Sequence, residues 1–173
     1  NVTTMESVEM RSLGVSADFG EATTAGGARG DSGCSNNTRG IFADTTTMSY
    51  ITIASAGNAV NFGNYSDPRS KAGGMCSSTR AVWGGGNDAS TNARLNVIDY
   101  VTIATTGNAT DFGDLTQGQS DLAGLSNSTR GVVAGGVASG LTNVIQYITI
   151  ASTGNAIDFG DLSQSKQYNS GTG

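Results

Sequence analysis

The sequence predicts an all-β repeat protein, and three observations predict it. One pattern returns along the chain: Tyr50-ITIASAGNAVNFG, Tyr100-VTIATTGNATDFG and Tyr147-ITIASTGNAIDFG are near copies, and SVEMRSLGVSADFG from Ser7 aligns with them without a gap. The copies carry strand signals and no helix signal: in Asn96-VIDYVTIA and Asn143-VIQYITIA, β-branched and aromatic residues alternate with smaller or polar ones at a period near two. Glycine supplies 26 of 173 residues and charged residues only 13%, against roughly 25% charged in ordinary soluble domains. Serine, threonine, asparagine and backbone must therefore solvate the surface.

Each repeat reads as four short antiparallel strands. The first is a small-residue segment such as Asp121-LAGLSN, followed by a polar turn. The second holds an arginine: NNTRGIFA around Arg39, SSTRAVWGGG around Arg80 and NSTRGVVAGG around Arg130. The third carries Tyr50, Tyr100 or Tyr147, and the pairs Gly57-Asn58, Gly107-Asn108 and Gly154-Asn155 after it are expected to supply the positive φ of a tight turn. The fourth carries Phe19, Phe62, Phe112 or Phe159, spaced 43, 50 and 47 residues apart. The step from tyrosine to phenylalanine is always 12 residues, whereas that from arginine to tyrosine is 11, 20 and 17. One loop per repeat thus absorbs most of the length variation: Asp44–Ser49, Gly86–Leu95 and Val137–Thr142. Such loops cluster on one face of a repeat array, often the binding face. A period of about 47 to 50 residues with four strands is that of a β-propeller blade. The expected division is a partial blade over 1–31, blades over 32–71, 72–120 and 121–163, and a tail or the start of a next blade over 164–173, about 3.5 blades in all.

Composition excludes several functions. The net charge is −5, with nine lysines and arginines scattered singly, which is no footprint for a nucleic-acid backbone. No apolar run approaches the ~20 residues of a membrane-spanning helix, so the chain reads as soluble, without membrane insertion. Histidine is absent, which removes the commonest general base and transition-metal ligand. No cofactor is expected. The chain starts at Asn1 and is expected to be a processed product or an excerpt. Cys34 and Cys76 are too few for a disulfide framework, and two buried thiols are favoured over a bridge.

The candidate sites each have a functional and a structural reading. Arg39, Arg80 and Arg130 recur at one repeat position and could form an arc that recognises anions or acidic glycans. A role copied into every repeat is more simply a bond to the neighbouring repeat. Asp111 with Asp114, and Asp158 with Asp161, could hold calcium, but the equivalent pairs are Asp18 with Glu21 and Asn61 with Asn64. Turn capping is the plainer expectation for them. In the variable loops, Asn87, Asp88 and Asn92 suit adaptable hydrogen bonding to a ligand or partner, and drift explains them equally well. Trp83 stands in the slot of Phe42 and Val133 on an apolar strand. It is expected in the repeat core with Phe19, Phe62, Phe112, Phe159, Tyr50, Tyr100 and Tyr147.

The order of these motifs resembles a kelch blade. Gly84-Gly85 and Gly135-Gly136 occupy its double-glycine place, the three tyrosines its tyrosine place, and the phenylalanines stand where kelch repeats usually carry tryptophan; Ala43-Asp44 replaces the glycine pair in one repeat. The wording "TRGVxAGG…NVIDYVTIATTGNATDFGDL" is similar to the kelch-like β-propeller repeat proteins of marine cyanobacterial phages, over nearly the whole chain. That resemblance implies a non-enzymatic structural protein of the virion or tail, whose loop face contacts other virion proteins or the host surface. A host-glycan receptor-binding module is one alternative. The other is a secreted or cell-surface filament subunit joining copies of itself through open blade edges, because closed propellers need about four to eight blades.

Overall fold

The computed structural model describes residues 3–9, 13–23 and 33–168. Every element in it is a strand, so the chain is all-β. A hairpin of β1 (Thr4–Ser7) and β2 (Ala17–Glu21) comes first. Repeat one is a sheet of β3 (Cys34–Ser35), β4 (Arg39–Ala43), β5 (Thr47–Thr52) and β6 (Val60–Asn64). β7 (Arg69–Ser70) follows it. Repeat two consists of β8 (Gly73–Cys76), β9 (Arg80–Gly84), β11 (Val97–Thr102) and β12 (Thr110–Asp114), with β10 (Asn87–Asp88) in its long loop pairing back to β7. Repeat three consists of β13 (Ala123–Ser126), β14 (Arg130–Ala134), β15 (Val144–Thr149) and β16 (Ile157–Asp161). The four strands of each repeat form an antiparallel meander in which successive strands of the repeat are neighbours. Parts of the partial blade and of the 164–173 segment lie outside the described residues.

The Asp-Phe-Gly wording has a geometric cause. Met48 pairs with Gly63 and Ser49 with Asn61, so Phe62 is the extra residue of a β-bulge. The same slip singles out Phe19, Phe112 and Phe159. A bulge re-aims one side chain, and here each phenylalanine of a full repeat meets its tyrosine edge to face, with centroids 5.9, 5.8 and 5.8 Å apart.

Two buried clusters lie between the sheets. Ile41, Met48 and Phe62 of repeat one pack on Ala81, Trp83 and Val101 of repeat two. Met75, Val82, Ile98 and Phe112 of repeat two pack on Val133, Ile148 and Ile150 of repeat three. Each fully buried side chain of this size contributes about 1.5–3 kcal/mol, so the repeats are held by their neighbours.

Three sequence expectations change. Phe159, expected in the repeat core, is 57% exposed, because no following repeat covers it among the described residues. The hairpin turn lies at residues 53–55 in repeat one, and Gly57-Asn58 follows it in a segment hydrogen-bonded to the preceding hairpin. The loop expected at Asp44–Ser49 is shorter, because Thr47, Met48 and Ser49 belong to β5.

Candidate functional site

The recurring residues converge on the seams between repeats. The Gly57 N–H donates to Phe19 O and the Ala59 N–H to Glu21 O, while the Asn58 side-chain oxygen accepts from the Glu21 N–H (2.7, 2.8 and 3.0 Å). Gly107, Ala109 and Asn108 do the same on Phe62 and Asn64. Gly154, Ala156 and Asn155 do it on Phe112 and Asp114. The glycine after each phenylalanine lets the backbones approach this closely: at Gly20, Gly63 and Gly113, with φ of 147, 157 and 143°, a Cβ would collide with the carbonyl of the incoming glycine.

The arginines work beside this clasp. Arg39 Nη1 donates to Ile103 O (2.9 Å) and Arg80 Nη1 to Ile150 O (2.8 Å), each in the following repeat. Their guanidiniums lie 4.5 Å over the rings of Tyr50 and Tyr100. Arg130 stacks on Tyr147 at 4.7 Å and is exposed. As an anion-binding arc, Arg39 and Arg80 are therefore already engaged.

A second set of contacts crosses the seams, and the sequence motifs do not announce it. Arg69, seven residues past Phe62, forms an ion pair with Asp99 in which both side chains are fully buried. Arg69 also donates to Val97 O (3.0 Å), while Asp99 accepts from the Ser66 hydroxyl (2.8 Å). At the next seam the equivalent residues are Gln119 and Gln146, whose amides hydrogen-bond each other. Gln119 Nε2 also donates to Gly135 O (3.0 Å), and Gln146 Oε1 accepts from the Thr116 N–H (2.7 Å). The signal for these pairs was a polar residue before each tyrosine, Ser49, Asp99 and Gln146, inside an otherwise apolar strand.

The other candidates are placed as follows. Asp111 Oδ1 accepts from the Gly113 N–H and Asp158 Oδ1 from the Gly160 N–H, so these carboxylates cap their own Phe-Gly corners. Asp114 and Asp161 lie on the far side of those corners, and among the described residues no group of three or more metal-ligating side chains assembles. In the long loop of repeat two, Asn87 bonds Asn92 (3.2 Å), and Asp88 accepts from the side chains and backbones of Ser90 and Thr91. The Ser90 hydroxyl and then the Thr91 groups hold the Asp88 carboxyl well below the usual range. Trp83 is buried against Tyr65, at 5.7 Å and nearly perpendicular. Cys34 and Cys76 are free thiols on the two sides of the first seam; Cys34 is buried and donates to Met75 O (3.3 Å), whereas Cys76, expected buried as well, is half-buried. Their mutual hydrogen bond brings Cys76 down to about 5 and, with burial, pushes Cys34 up.

Set beside known proteins, the chain matches no protein-family model and no curated protein.

Proposed function

We propose that the chain is a non-enzymatic structural repeat protein of a phage virion or tail, a segment of about 3.5 kelch-like propeller blades with a loop face for virion proteins or the host surface. The observation that carries the reading is the use of the recurring side chains. Arginine, phenylalanine and the Gly-Asn pair tie one repeat to the next, with tyrosine holding the arginine and phenylalanine of its own repeat, and what varies between repeats is the loop between the second and third strands. A stiff scaffold that displays variable loops suits a particle component. The propeller arrangement is supported by the first strands, since β3 adjoins β8 and β8 adjoins β13, as the inner strands of successive blades do. Immunogold electron microscopy of the native source, with an antibody against this chain, tests it. Label on tails or capsids is the expected result. Label confined to cell envelopes or free filaments overturns it.

A further inference from the structure

The face that repeat three turns away from repeat two is a seam half without its other half among the described residues. Phe62 and Phe112 are 2% and 3% exposed, whereas Phe159 is 57% exposed. A Cβ on Gly160 would meet nothing within 4 Å, although its φ of 134° matches the clasp glycines. Leu125, in the place of buried Met75, and Val132, in the place of buried Val82, line an open groove of about 400 Å³ with Arg130 and Phe159.

The β1–β2 hairpin presents the complementary half. Its bulge fixes the register, because Glu6 pairs with Asp18 as Asp99 pairs with Asp111. Glu6 therefore holds the position of Asp99, and Gly14-Val15-Ser16 that of the Gly-Asn-Ala donors. Seven residues past Phe159, in the position of Arg69, stands Lys166. Glu6 and Lys166 are both exposed, as are Val8, Leu13 and Val15 at 62, 105 and 93%.

We propose that this outer face of repeat three binds the β1–β2 hairpin of a second copy of the chain, reproducing the seam between repeats with Lys166 opposite Glu6 in the roles of Arg69 and Asp99. The contact is heterologous, so copies add in one direction and form a ring or a filament according to the rotation. It rests on the seam geometry of the 173-residue chain and not on the virion reading. Val15 weakens it, because a valine supplies no side-chain oxygen where Asn58, Asn108 and Asn155 accept a backbone N–H.

Sedimentation of the 173-residue chain over a range of concentrations, with three variants, tests the proposal. The wild type is expected to associate reversibly. Glu6→Lys alone and Lys166→Glu alone place like charges in the seam and weaken association about tenfold or more. Their equimolar mixture restores it, since every contact between unlike chains then pairs opposite charges. Val15→Asn, on a side chain exposed to solvent, tightens association about two- to tenfold by adding the missing acceptor. A wild-type chain that stays monomeric at every concentration overturns the proposal. So does association that ignores both charge changes, or a mixture no stronger than its components.

Discussion

At the seam between repeats one and two, Arg69 and Asp99 meet as a buried ion pair; between repeats two and three the same two positions hold Gln119 and Gln146. Both solutions satisfy their polar atoms, with Ser66 on Asp99 and Thr116 on Gln146. They differ in what happens when one partner is lost. A buried ion pair contributes little net stability over a well-made neutral substitute, because desolvation offsets its Coulomb energy, but an orphaned buried charge is very costly. The first seam is therefore the more brittle one, though not necessarily the stronger.

That difference can be broken experimentally. Asp99→Ala leaves the Arg69 guanidinium buried without its counter-charge and should cost about 3–5 kcal/mol, read as a lower urea midpoint. Gln146→Ala orphans only a neutral amide and should cost about 1–3 kcal/mol in the same assay; an equal loss at the two sites would refute the contrast. Gly113→Ala should destabilise by about 1–3 kcal/mol more than Gly160→Ala. Both glycines have strongly positive φ, but only at Gly113 does the new Cβ meet the carbonyl of Gly154. The double change Arg69→Gln with Asp99→Gln, which copies the second seam into the first, should lie within about 1 kcal/mol of the wild type.

The smallest effect concerns the thiols, which also lie on the first seam. Cys76, lowered to about 5 with the Cys34 thiol as the main cause, should be alkylated at neutral pH much faster than buried Cys34. Its pKa is depressed, so reactivity should be retained as pH falls from neutral and lost on passing below about 5. Mass spectrometry of the alkylated chain reads both sites, and preferential labelling of Cys34 would contradict the assignment.

Much of the strand plan was legible because a repeat prints its core several times: each Tyr-to-Phe step of 12 residues becomes one hairpin closed by an aromatic pair. The Gly-Asn pairs misled because glycine and asparagine favour turns locally, whereas here the glycine donates its backbone N–H to the phenylalanine carbonyl of another repeat and the asparagine supplies a side-chain acceptor, while close approach is required of the glycine after each phenylalanine. Arg69 and Asp99 stayed hidden for a related reason. They are 30 residues apart, their partners are neighbours in space, and the column they share changes from charged to amide between seams. A repeated motif announces itself, while a complementary pair that varies does not.

The clasp has a direction. Its carbonyl acceptors, such as Phe112 O and Asp114 O, belong to the earlier repeat, and its donors, Gly154 and Ala156, to the later one. A ribosome makes the N-terminal part first. Each hairpin that emerges therefore meets a finished edge, and the order of synthesis is also the order of docking.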